Sequence, residues 1–235
     1  MGTLDGKIAL ITGGTGALGR VVSAAFVAAG ARIVVTYVAD HELPGFEAAV
    51  SKERREIAQV ELTSRAAIDA LVARIVATHG HLDVLLNLAG GFGAGPITET
   101  NEHELDRLFA MNVKTAFLCT QAVLPTMIRQ RRGRIVNVTS RPALIGGAGV
   151  SAYAITKAGV AALTRAAADE VREHGVTVNA IAPSTIDTPA NRAAMPKVDP
   201  ARWVKPEEIA ATLVFLASDA AAATSGAIIP VYARA

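Results

Sequence analysis

Cysteine is almost missing from this chain: Cys119 is the only one in 235 residues. No internal disulfide can form, which excludes the disulfide-stapled secreted classes and points to a reducing cytoplasm. Cys119 falls in an apolar helical pattern and reads as a packed core thiol rather than a nucleophile. Aromatics are scarce at 4%, and the lone tryptophan, Trp203, reads as packing. No apolar run reaches the roughly 18 residues of a membrane span. The opening "MGTLDGKIAL" lacks the layout of a secretory leader, so a cytoplasmic protein without a membrane partner is expected. Net charge is only +2, and the basic residues are scattered apart from Arg129–Arg134, which reads as a solvated turn. No nucleic-acid partner is expected from that distribution. His79 and His81 flank a glycine, but no carboxylate or cysteine cluster supports them, so a surface turn is preferred over a metal site.

What is present is a sizeable core, 51% hydrophobic against 19% charged, arranged in alternation. Short apolar runs at Lys7–Thr12, Arg32–Tyr37, Glu56–Val60, Leu82–Asn87, Arg134–Thr139, Thr177–Ile181 and Ala227–Val231 read as seven strands. Several are apolar on both faces, as strands covered on both sides by helices must be. Helical patterns fall between them near 18–29, 64–79, 102–130, 151–174 and 206–218. This alternation predicts an α/β chain: one Rossmann-like domain over 1–235 with a doubly wound parallel sheet.

The first strand runs straight into "TGGTGALG", Thr12–Gly19, and a helix pattern follows at once. Glycines let the backbone turn sharply and approach a ligand closely, and a helix N-terminus offers free N–H groups to a pyrophosphate. In this context the turn points to dinucleotide binding. Further along, "SAYAITKAG" sets Tyr153 and Lys157 four residues apart in an otherwise small and apolar helix. Such a pair shares one helix face. Ser140 stands at the end of the strand pattern "RIVNVT", and strand ends meet helices at the crevice where doubly wound sheets bind ligands. Chance would give the Tyr-x-x-x-Lys spacing only about 0.08 times in a chain of this composition.

With Thr12–Gly19, "NLAG" at Asn87–Gly90, Asn112 in "MNV", Ser140, Tyr153, Lys157 and "NAIAPSTIDT" at Asn179–Thr188 in this order, the chain resembles the short-chain dehydrogenase/reductase family over nearly its whole length. The resemblance implies an NAD(P)-dependent oxidoreductase acting on a small-molecule alcohol/carbonyl substrate. It implies a catalytic set of Asn112, Ser140, Tyr153 and Lys157. Tyr153 would be the general acid/base, Ser140 would hydrogen-bond the substrate oxygen, Lys157 would favour the phenolate and hold the ribose, and Asn112 would position a water. The dinucleotide, NAD or NADP, would lie against Gly13, Thr15, Gly16, Ala17, Leu18, Gly19, Tyr37, Glu61, Leu62, Asn87, Ala89, Gly90, Tyr153, Lys157, Pro183, Ser184, Ile186 and Thr188.

Some positions depart from the family pattern. Leu88 replaces a second Asn, Glu61 stands where an Asp commonly meets adenine, and Ser184 replaces a Gly. In the family an acid just past the second strand selects NAD, and a basic residue at the next position or in the glycine turn selects NADP. Tyr37, Val38 and Gly16 occupy those places. No Lys or Arg lies between Ile33 and Ser51, and Asp40 would repel a 2′-phosphate, so the sequence leans slightly to NAD. Arg141 reads as a solvent-facing or loop-pairing charge ahead of a contact to an acidic substrate. The loop Gly90–Pro96 should border the pocket, with Phe92 against the substrate. Pro189, Pro196 and Pro200 leave little room for a full flap, so a short lid at 189–205 and an open pocket are expected. Helices near 113–128 and 153–168 are apolar around most of their circumference, which predicts a homodimer or homotetramer. Two other readings remain: a non-catalytic dinucleotide sensor or scaffold, and a reductase of C=N or C=C bonds on the same fold.

Overall fold

The computed structural model describes residues 2–234. Its centre is a seven-stranded parallel sheet of β1 (Ile8–Thr12), β2 (Arg32–Tyr37), β3 (Arg55–Gln59), β4 (Val84–Asn87), β5 (Gly133–Val138), β6 (Val176–Pro183) and β7 (Ile228–Val231), in spatial order β3-β2-β1-β4-β5-β6-β7. Strand alternation sends neighbouring residues to opposite cores. Ala9, Ile11, Ile33, Val35, Val84 and Leu86 face one core. Ile8, Leu10, Val34, Leu85 and Ile135 face the other. That is the physical reason the strands read as continuous apolar runs.

Helices fill both faces. Val22 and Phe26 of α1 (Ala17–Ala28), Phe46 of α2 (Leu43–Ala49) and Leu213 of α9 (Pro206–Ala217) pack into the first core. Ile68 and Ile75 of α3 (Arg65–His79), Val123 and Met127 of α5 (Thr115–Gln130) and Ala167 of α7 (Ser151–Glu170) pack into the second. The shorter α4 (Glu102–Phe109), α6 (Arg141–Ile145) and α8 (Pro189–Ala194) lie in connections at the C-terminal ends of strands. None of the helices is long and apolar enough to cross a membrane among the described residues.

Three differences from the sequence reading matter for the site. The pattern at 102–130 is not one α-helix: Ala110–Lys114 forms a π-helical turn between α4 and α5, with Asn112 inside it. Helix α2 was not among the helical patterns of the sequence; its proline sits in the first turn of the helix, where it needs no N–H partner. His79 is not a solvent-facing turn residue. Its ring is largely buried and its Nε2 lies 2.8 Å from Glu56.

Candidate active site

The sheet order reverses beside β1, which pairs with both β2 and β4. In open α/β sheets the ligand crevice lies at that reversal, beyond the strand carboxyl ends. Here it is a cleft of about 540 Å³ bordered by the turn after β1, the end of β2 and the loop after β4. Gly13 has φ +62°, and a Cβ there would stand 3.0 Å from the Ala89 backbone. Only glycine fits that turn and that approach. Polar side chains at strand ends fix the surrounding loops. The Ala89 amide donates to Thr12 Oγ1 at 3.1 Å, and the Gly13 amide donates to Thr36 Oγ1 at 3.3 Å. No side chain caps α1 at Gly16, and its first turn carries no acid. Unclaimed N–H groups at a helix start suit a pyrophosphate, so this cradle fits a dinucleotide.

The cleft gathers Gly13, Thr15, Gly16, Ala17, Leu18, Gly19, Tyr37, Glu61, Leu62, Ala89 and Gly90. Asn87 is not on its wall. It is buried, and its Nδ2 donates to Asn137 Oδ1 at 2.8 Å. Pro183 ends β6 and Ser184, Ile186 and Thr188 follow it; none of the four borders this cleft. The Ser184 hydroxyl donates to the Tyr232 carbonyl, Ile186 bridges Val204, and Thr188 caps α8. Glu61 is exposed, with its carboxylate held by the Thr63 hydroxyl and amide. These bonds lower its pKa. The sequence reading missed Glu42, which reaches into the cleft from the segment after β2. No local pattern announces a contact that exists only through space.

The four proposed catalytic residues sit at the neighbouring strand ends. Helix α7 carries Tyr153 and Lys157 on one face, with Lys157 Nζ 6.0 Å from the phenol ring centre. Lys157 is not a snorkelling surface lysine. It is 7% exposed, and its Nζ donates to the Val138 carbonyl at 2.9 Å. Thr139, just past β5, fixes the same helix by donating to the Lys157 carbonyl at 2.6 Å. A Cβ on Gly90 would meet Asn112 Oδ1 at 2.6 Å and Lys157 Nζ at 3.3 Å, so the cleft wall and these two side chains converge on one glycine.

The Asn112 side chain is committed to the protein. Its Nδ2 donates to the Gly91 carbonyl and to Thr156 Oγ1, while its Oδ1 accepts from the Gly91 amide. It thus ties the loop after β4 to α7. Ser140 Oγ is buried and closes no hydrogen bond at normal distance, although its nearness to the phenol favours ionisation of Tyr153. Phe92 stands edge-on to Tyr153, ring centres 5.0 Å apart, and is 62% exposed. Arg141 stacks over Tyr232 at 5.4 Å, an interaction with another loop.

Burial sets the acid–base character. It pushes the Tyr153 phenol above its ordinary value, with Ser140 pulling weakly the other way. It pushes the Lys157 ammonium down to about 8. Desolvation is the largest influence on the phenol. Cys119 is buried and its thiol is raised to about 12, which makes it inert at neutral pH. No cluster of three metal-ligating side chains occurs among the described residues.

Residues 7–199 match the short chain dehydrogenase family. The chain belongs to that family, a class of NAD(P)-dependent oxidoreductases. It is 34% identical to the 3-oxoacyl-(acyl-carrier-protein) reductase FabG of Thermotoga maritima over 96% of both chains. It is 38% identical to a sorbitol dehydrogenase of Cereibacter sphaeroides over 78% of this chain and 72% of that one. The crystal structure of levodione reductase superposes with a TM-score of 0.90 at 28% identity, covering 98% of this chain and 97% of that one.

Proposed function

We propose that this enzyme moves a hydride between a nicotinamide dinucleotide and an alcohol/carbonyl pair, with Tyr153 giving or taking the proton. The observation that carries the reading is the pairing of Tyr153 and Lys157 on α7 beside Ser140 Oγ, a buried hydroxyl that closes no hydrogen bond at normal distance among the described residues. An orphaned buried hydroxyl is costly unless a ligand completes it. A substrate oxygen held between that hydroxyl and the Tyr153 phenol supplies the missing partner. A phenol raised by burial stays protonated at neutral pH, which suits it to protonate the oxygen of a carbonyl under reduction. The bound dinucleotide would supply the hydride and, when oxidised, a positive ring. Lys157 would hold the ribose hydroxyls and add its own charge beside the phenol. Asn112 would act as a brace that keeps Gly90–Gly91 against α7.

A tethered 3-oxoacyl thioester is the favoured substrate class. Support comes from the likeness to a 3-oxoacyl reductase and from the small lid: 189–205 holds only the six-residue α8 and a 3₁₀ turn, closed at its base by the Ile186–Val204 bridge. NAD is the favoured dinucleotide, because Glu42 and Glu61 border the cleft and no lysine or arginine does. A homo-oligomer accounts for the exposed Phe109, Phe117 and Ile155 on α4, α5 and α7, and light scattering should return a dimer or tetramer.

The test is a panel of thioesters, ketones and polyols with both reduced dinucleotides, run on wild type and Tyr153→Phe. Turnover of the true substrate should fall by roughly two to four decades in the variant. Retention of most activity would remove Tyr153 from the mechanism.

A further inference from the structure

We propose that Glu42 is a specificity-determining residue of the dinucleotide cleft: it accepts from a ribose with free hydroxyls and turns away one bearing a 2′-phosphate. The proposal rests on the reading of this cleft as a dinucleotide site. Glu42 closes the 3₁₀ turn Asp40–Glu42 that leads from β2 into α2. Its carboxylate reaches back over the glycine turn, where Oε2 accepts from the hydroxyl of buried Thr15 at 2.5 Å. Its Oε1 lies 3.5 Å from where a Cβ on Gly16 would stand. The family resemblance makes the Gly16 position one where a basic side chain would pair with a 2′-phosphate. This chain lacks that side chain and holds a carboxylate in the space it would enter.

The carboxylate lies beside Gly16 at the uncapped start of α1. Among the residues bordering the cleft, no lysine or arginine neutralises it. Arg20, one turn into α1, reaches toward α2, with its Nη1 3.1 Å from the place of a Cβ on Gly45. A ribose diol has donors for the two carboxylate oxygens. A 2′-phosphate has only acceptors and further negative charge at neutral pH, so it meets both repulsion and unmatched lone pairs.

Dissociation constants for NADH and NADPH, measured by nicotinamide fluorescence on wild type, Glu42→Gln and Glu42→Ala, test the proposal without needing a substrate. Wild type should bind NADH more tightly. Glu42→Gln should tighten NADPH by about ten- to a hundredfold and weaken NADH a few-fold. Glu42→Ala should shift the NADPH/NADH ratio in the same direction, which guards against an effect peculiar to the amide. A wild type that prefers NADPH would overturn the NAD reading together with this role for Glu42. A wild type that prefers NADH while both variants keep its ratio would overturn the role of Glu42 alone. Loss of binding for both forms in all three proteins would overturn the dinucleotide reading of the cleft.

Discussion

The turn after β1 and the first two turns of α7 lie at the same edge of the sheet, but they are made of different material. Around Gly13 and Gly16 the proposed working groups are backbone N–H groups at an uncapped helix start, overhung by the Glu42 carboxylate. Around Tyr153 and Lys157 the working groups are side chains taken out of water, one of them an ammonium driven down to about 8. The first region gains function by removing atoms. The second gains it by burying charge at a cost in stability. Substitutions should therefore fail differently in the two places.

Lys157→Met should give the largest divergence between function and stability. Turnover and dinucleotide affinity should both fall, because the ribose contact and the charge beside the phenol go together. Stability should rise at neutral pH. A shift from 10.5 to about 8 corresponds to a penalty on the order of 3 kcal/mol for the buried charge. The lost hydrogen bond to the Val138 carbonyl offsets about 1 kcal/mol of that. The sign follows from linkage. Below pH 8 both folded and unfolded chains carry the proton, and the folded state bears the full penalty. Between about 8 and 10.5 the unfolded chain binds more protons, so wild-type stability climbs with pH and the gap to the variant closes. Urea melts of both proteins from pH 7 to 10.5 check this; a wild type that stays ahead throughout would mean that the ammonium is well solvated.

Gly13→Ala breaks the other region. A residue with a Cβ at φ +62°, pressed 3.0 Å from the Ala89 backbone, should lose about 1–3 kcal/mol of stability. Dinucleotide affinity should fall at least about tenfold, because the turn itself is the proposed binding surface. Fluorescence titration beside a urea melt gives both numbers. Phe92→Ala should have the smallest effect. Its exposed ring meets Tyr153 at one edge, so the Michaelis constant for substrate should change a few-fold while dinucleotide affinity holds. A large drop in turnover there would mean that Phe92 orients the phenol.

The sheet was legible because strands covered on both faces are largely apolar, as the Ile-Val cores of "RIVVTY" and "RIVNVT" are. The glycine turn was legible because its spacing is local. The environments of the side chains were not. Lys157 has the sequence context of any helix lysine, and its burial comes from β5 and the loop after β4 closing over it. The π turn at Ala110–Lys114 has no glycine or proline to announce it; the Asn112 bonds to Gly91 and Thr156 accompany it across long separations. Glu42 escaped for the same reason, since its partner Thr15 belongs to another loop.

The proposed reaction is the delivery of a hydride to a carbon whose oxygen is protonated by Tyr153. The most direct measurement uses NADH deuterated at the transferable position, with the best carbonyl substrate from the panel. Mass spectrometry of the alcohol formed should find one deuterium, bonded to the carbon that bears the new hydroxyl. Tyr153→Phe should give the same label far more slowly. An unlabelled alcohol, or a label on a neighbouring carbon, would contradict carbonyl reduction by hydride transfer in this site.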